Sequence, residues 1–360
     1  MNSGKLRALA GRLMRNPASP YFEHGVREEV KKICREHRLA FEQDDFGNVL
    51  VRLQTSRAVR PLAFAAHMDH PGFEVARIIS DRSCVVRFQG GVPDNYFHSG
   101  LPIRLMPGNV QVRLGRPVSK SRSFEVPARA PWKTPPQFAV WDLEAFAVRR
   151  GQIHGRACDD TIGVACVLAT LIELKSRRAR VNVIGVISRA EEVGFRGVLS
   201  LVKGKALPKT SLVISLETSR ELPGVKMNQG VILRVGDRTS VFDTKAMQFL
   251  AEVASSISTR KKPFPFQRGL MSGGTCEATA FQEYGYQTGA VCVALGNYHN
   301  CAPGTKIAAE YVSIADCCGM VDLLVRAARQ IKEFYTLTGR LPAKLEKMRR
   351  ESEKRLRTTA

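Results

Sequence analysis

Four stretches of this chain, PLAFAAH (61–67), VNVIGVIS (181–188), SLVISLE (211–217) and TGAVCVAL (288–295), are apolar almost without interruption. A strand with one wet face alternates apolar and polar residues. A strand apolar at successive positions must be covered on both faces, so these runs predict central strands of a sheet with helices above and below. The segments between them agree. YFEHGVREEVKKICREH reads as an amphipathic helix from Tyr21 to about His37, and NVLVRL (48–53) reads as a strand. A helix follows Asp159. Another runs from Ser313 to about Tyr335, with Ile314, Cys317, Val321, Leu324, Ala328 and Ile331 at helical spacing.

From Val75 to Gly151 the texture changes. VARIIS, SCVVRF, LPIRLM, VQVRLG and AVWDL are short strand-like runs separated by Gly, Pro, Asn and Ser, with no helical period among them. The expectation is an α/β protein with a small all-β unit inserted into it. The division is residues 1–74 and 152–337 for the α/β part, 75–151 for the insert, and 338–360 for a basic tail.

Composition narrows the classes. No run reaches the eighteen or so apolar residues of a membrane span, which sets membrane association aside. The basic N-terminus MNSGKLRALAGRLMRN lacks the apolar core of a secretory signal. The nine cysteines are scattered without a CxxC pair, which reads as reduced core residues and a cytoplasmic location. The formal charge of +22 is the largest anomaly, but the basic residues are spread along the chain without a nucleic-acid-binding motif.

Open α/β sheets place their sites at the C-terminal ends of their strands. Here those ends carry His67-Met68-Asp69, Glu191-Glu192, Glu217 and His299, and Asp159 opens the helix that resumes the α/β texture. Two imidazoles and several carboxylates would thus meet at one edge, a mixed nitrogen and oxygen donor set suited to zinc, cobalt or manganese. The adjacent acids of GRACDDTIG (155–163) fit the same idea. Side by side at the edge of a core they repel each other, unless they cap a helix or face a cation. Asp69, two residues beyond His67, is placed to accept from the second imidazole nitrogen and fix its tautomer. Cys158 reads as a small packing residue rather than a nucleophile.

The order GNVLVRL, AAHMDHPGFEV, the β-rich insert, GRACDDTIG, SRAEEVGFRG, SLETS, SGGTCEAT and NYHN resembles the glutamyl, or tetrahedral, aminopeptidases. These are dinuclear metallopeptidases once filed as endoglucanases, and the likeness spans about residues 20–335. It implies an α/β/α sandwich of the phosphorylase/hydrolase-like zinc peptidase kind, with an inserted β-barrel that builds dimers and, from them, dodecamers. It also implies two divalent metal ions, zinc or cobalt, with Asp159 bridging them. His67 and Glu217 would complete one site, and Glu192 and His299 the other. Glu191 would act as general base and acid on a peptide substrate, and the Asp159–Asp160 peptide bond would be cis. The chain departs from the family pattern at Glu217, where Asp is usual, and in the Gly273-Gly274-Thr275-Cys276-Glu277 loop, where the acidic group is displaced by one position. The alternatives are a metallo-carboxypeptidase or deacylase with the same metals, and a non-catalytic basic binding protein on the same scaffold.

In the tail, LPAKLEKMRRESEKRLRTTA, Leu341, Leu345 and Met348 fall at helical spacing among Lys and Arg. A short, marginal, basic helix is expected, its contact with a polyanion such as nucleic acid being the less favoured reading.

Overall fold

The computed structural model describes residues 2–119, 122–258 and 263–360. The four apolar runs lie together as Asn182–Ser188, Leu62–His67, Leu212–Arg220 and Gln287–Gly296, mutually parallel and adjacent in that order. They are the centre of an eleven-stranded sheet in which the flanking strands Val49–Gln54 and Glu310–Ser313 pair antiparallel with them.

Both faces are covered, and the two-residue period of a strand shows how. Leu62, Phe64 and Ala66 enter the larger core, which also takes in the helices Ser3–Met14, His24–Glu36, Thr161–Ser176, Thr244–Ile257 and Ile314–Gln330. Ala63 and Ala65 point the other way, into a smaller core with Val198, Leu201 and Val202 of Arg196–Lys203 and Phe281 of Glu277–Glu283. This is the α/β/α sandwich. The helix Thr161–Ser176 is apolar nearly all round because the sheet lies on one side of it and two other helices on the other. Its close approach depends on Gly185, where a Cβ would stand 2.8 Å from Val167 Cγ1.

A second, seven-stranded sheet runs from Gly72–Ser80 to Phe138–Trp141 and has its own core, in which the Trp141 ring lies 4.9 Å from that of Phe73. The sheet curls: beyond its edge strand Val110–Arg113, Gly115 N–H donates to the Glu125 carbonyl of the strand Ser123–Pro127 at 2.8 Å. Ala147–Arg149 and Gln152–Gly155 pair within the large sheet.

Two helices differ from expectation. The first begins at His24 rather than Tyr21; Tyr21 has φ 74° and donates its N–H to Glu23. The C-terminal segment is not a short separate helix. After a single turn at Ile331–Glu333, one helix runs from Phe334 to Thr358, anchored by Phe334, Leu337 and Thr338, and it spans position 338 without a break.

Candidate active site

His67 ends one parallel strand and Glu217 lies in its neighbour, while Glu191 and Glu192 follow the strand Asn182–Ser188. The structure brings all five expected ligands and Glu191 to the C-terminal edge of the sheet. His67 Nε2 lies 3.6 Å from Asp159 Oδ1, 3.9 Å from Glu191 Oε2 and 4.0 Å from Glu217 Oε2. His299 Nε2 lies 3.6 Å from Asp159 Oδ2 and 3.3 Å from Glu192 Oε2. Donor atoms of His67, Glu191 and Glu217 form one group within 4.8 Å of one another, and those of Asp159, Glu192 and His299 form a second.

Both imidazoles are oriented from behind. His67 Nδ1 faces the Asp69 carbonyl at 3.1 Å, and His299 Nδ1 faces the Gly91 carbonyl at 2.8 Å. A carbonyl can only accept, so each Nδ1 carries the hydrogen and each Nε2 is turned to the carboxylates. His299 is delivered by a turn in which Asn297, His299 and Asn300 all have positive φ, a backbone that side-chain-bearing residues rarely adopt.

Asp69 is used differently from the expectation. Its carboxylate lies farther from His67 Nδ1, at 3.6 Å, than its carbonyl does, because its oxygens accept the backbone N–H groups of Glu191 at 3.0 Å and Glu192 at 3.1 Å. It fixes the turn that carries the glutamate pair. The paired acids of the GRACDDTIG stretch divide their work. Asp160 accepts from Gly163 N–H and caps the helix Thr161–Ser176, while Asp159 faces the two histidines. The bond between them is cis.

Two buried groups missed at the level of sequence hold this arrangement. Glu310 accepts from the backbone N–H groups of Cys158 (2.8 Å), Asp159 (3.1 Å) and His299 (2.9 Å), so one carboxylate braces both sides of the site. His70 pairs Nδ1 with the Asp159 carbonyl at 2.7 Å and Nε2 with Asn300 Oδ1 at 2.9 Å. Glu310 lay beyond the visible motifs. Glu277 of the GGTCE loop is buried behind the site and accepts from Ser188 Oγ, whereas Gly273, Gly274 and Thr275 line the cleft. Cys158 is a buried, inert thiol: burial pushes it well above its ordinary value. All nine cysteines are free.

The electrostatics is that of a site built around positive charge. Burial lifts Glu191 well above the usual carboxylate range and pushes Glu217 up to about 8, in both cases against the pull of His67. Burial opposes protonation of His67 and His299, yet the surrounding carboxylates hold both well above an ordinary imidazole. Asp159, despite its burial, is lowered by the two histidines. Asp159 Oδ1, Glu192 Oε1 and Glu217 Oε1 are buried without a hydrogen-bond partner. Orphaned carboxylate oxygens beside imidazole nitrogens fit a divalent cation in each group, which would displace the Nε2 protons.

The cleft above these residues has a volume of about 260 Å³ and is also lined by Arg220, Arg234, Arg238 and Tyr298. Arg234 is buried, donates to Ser219 Oγ at 3.1 Å, and leaves its Nε without a partner.

A three-layer α/β domain with paired imidazole and carboxylate groups at its sheet edge defines a candidate metallohydrolase. The family model of the M42 glutamyl aminopeptidases matches residues 134–311, a segment holding Asp159, Glu191, Glu192, Glu217 and His299, and so the resemblance read from the motifs stands. Similar solved structures include the TET aminopeptidase of the marine sediment archaeon Thaumarchaeota archaeon SCGC AB-539-E09, with a TM-score of 0.77 and 19% identity over 92% of this chain and 99% of that one. The aminopeptidase APDkam598 of Desulfurococcus kamchatkensis has a TM-score of 0.75 and 23% identity, covering 93% and 98%. The TET1 peptidase of Pyrococcus horikoshii has a TM-score of 0.74 and 21% identity, covering 90% and 98%. The chain therefore has the fold of these peptidases along nearly its whole length.

Proposed function

We infer that this protein is a dinuclear metal-dependent aminopeptidase. The observation that carries the reading is Asp159, with one oxygen facing His67, which is grouped with Glu191 and Glu217, and the other facing His299, which is grouped with Glu192. His67 and Glu217 would hold one cation, Glu192 and His299 the other, and Asp159 both; the nitrogen and oxygen donors favour zinc or cobalt. Two such cations supply Lewis acidity, polarising a peptide carbonyl and lowering the pKa of a water.

The remaining work falls to the chain. Glu191, buried and within the cleft, takes the proton from the attacking water as its oxygen adds to the carbonyl carbon. When the C–N bond breaks, Glu191 returns that proton to the departing amine. Asp69 keeps Glu191 and Glu192 in place through their N–H groups. The arginines of the cleft, Arg220 and Arg238 with buried Arg234, favour a substrate bearing an acidic side chain.

The P. horikoshii TET1 peptidase can assemble into a tetrahedron or a large octahedral shell. A homo-oligomer between dimer and dodecamer is proposed here too, in the cytoplasm, where nine free cysteines are stable. Hydrolysis of a panel of aminoacyl, N-acyl and C-terminal peptide substrates by the metal-reconstituted protein tests the reading. Release of N-terminal residues, glutamyl above leucyl, is expected. Cleavage confined to N-acyl or C-terminal substrates would make it a deacylase or carboxypeptidase.

A further inference from the structure

The sequence spreads its cations, but the fold gathers a set of them far from the active site. Arg177, Arg178 and Arg180 precede the strand Asn182–Ser188, and Ser56, Ala58 and Val59 precede the strand Leu62–His67. Together with Arg329 and Lys332 they line a hollow of about 720 Å³. Because these loops lie at the N-terminal ends of parallel strands whose C-terminal ends carry the catalytic groups, the hollow is at the opposite edge of the sheet.

Among the described residues, no carboxylate lines it. Arg177 engages Glu173 at 2.7 Å and Arg180 Nε meets Ser56 Oγ at 3.3 Å. Arg178, Arg180, Arg329 and Lys332 have no carboxylate partner among the described residues. Like charges converging on one concavity repel, and an anion in the hollow relieves this.

The basic surface continues from there. The C-terminal helix starts two residues after Lys332, and its Phe334 ring lies under the guanidinium of Arg60 at 5.0 Å, beside the Ala58–Val59 rim. From 341 onward no residue of the helix is buried. Its glutamates are used by neighbouring arginines and Lys347, leaving Lys344, Lys354 and Arg355 without a carboxylate partner among the described residues.

We propose that the hollow and the adjoining helix bind the sugar–phosphate backbone of single-stranded nucleic acid. Several cations spaced around a concavity match successive phosphates of a chain. A volume in the range of small-ligand sites admits a short run of a single strand but not the girth of a duplex. A flat lipid surface does not reach into a concavity, which disfavours anionic membrane as the partner. Among the described residues, the side chains lining the hollow are cationic or small, so binding in the hollow follows phosphate positions.

The test is fluorescence anisotropy of a labelled oligouridylate titrated with the full-length protein across a salt series. Binding should weaken linearly in logarithmic terms as salt rises. The triple variant R178E/R180E/R329E should bind about a hundredfold more weakly, with a salt slope smaller by about 2, the value for three lost phosphate contacts on a single strand. The milder pair R178Q/K332Q should give an intermediate loss at an unchanged melting temperature. Oligouridylate affinity within twofold of the parent in both variants would overturn the proposal. So would absence of binding at low salt, or retention only by phosphatidylcholine vesicles containing phosphatidylglycerol.

Discussion

Asp159 and Asp160 are neighbours in sequence with different partners in space: Asp159 presents one oxygen to each of His67 and His299 at 3.6 Å, while Asp160 accepts from Gly163 N–H at 3.1 Å. Substitution should separate these roles. Asp159→Asn should lower the bound divalent metal at both positions, read as stoichiometry by elemental analysis. Asp160→Ala should lower stability by at least ~1 kcal/mol, as loss of a helix cap does. Equal metal loss in the two variants would contradict the division.

Glu191 and Glu192 are also adjacent and also divided. Glu191→Gln should keep near-normal metal content while turnover falls at least about a hundredfold, the scale of a lost general base. Glu192→Gln should lose metal from the group it shares with His299. Indistinguishable metal content in the two proteins would refute the assignment.

Asp69 acts through backbone. Asp69→Ala leaves the N–H groups of Glu191 and Glu192 without their acceptor, and a cost of about 1–3 kcal/mol for each unsatisfied buried donor is expected in chemical denaturation. Turnover should fall with it. Unchanged stability would mean that the glutamate turn holds itself.

The metal-free protein should be acid-preferring. Burial raises Glu217 to about 8 and Glu277 and Glu310 to about 7, from an unfolded value near 4.5. Groups raised in this way bind protons more tightly in the folded chain. Their contribution is complete below about pH 4.5 and is lost as pH climbs through 7 to 8. Chelated protein should therefore melt lower at pH 8 than at pH 6, and added zinc should raise the melting temperature more at pH 8, with release of protons. A chelated protein that gains stability between pH 6 and 8 would contradict this.

Removal of residues 341–360 should leave the body intact, since none of them is buried. The truncated chain should turn over substrate at the parental rate and melt within about 0.5 kcal/mol of it, as for surface changes generally. Loss of catalysis would show that the helix completes the fold.

The architecture was legible because burial on both faces leaves a plain mark: residues 62 to 66 are apolar in succession, and the structure sends alternate members to two cores. That these side chains would gather was legible because strand ends concentrate chemistry at one edge. What stayed hidden were groups acting through backbone. Glu310 serves three backbone N–H groups, two of them some 150 residues away, a relation that side-chain spacing does not record. Asp69 was read as a partner for His67 because its carboxylate, not its carbonyl, was the visible acceptor. The start of the helix Phe334–Thr358 was assigned to the helix from Ser313 and its tail to a separate short helix, because the apolar period weakens where the helix leaves the core after Thr338. The basic hollow was invisible because its arginines come from segments some 150 residues apart (Arg177–Arg180 and Arg329–Lys332).

The central claim is that one carboxylate serves two cations, and anomalous diffraction from a zinc-soaked crystal tests it most directly. Two zinc peaks are expected, one bounded by His67, Asp159 and Glu217, the other by His299, Asp159 and Glu192. A single peak, or two peaks of which one lies away from Asp159, would contradict the dinuclear account.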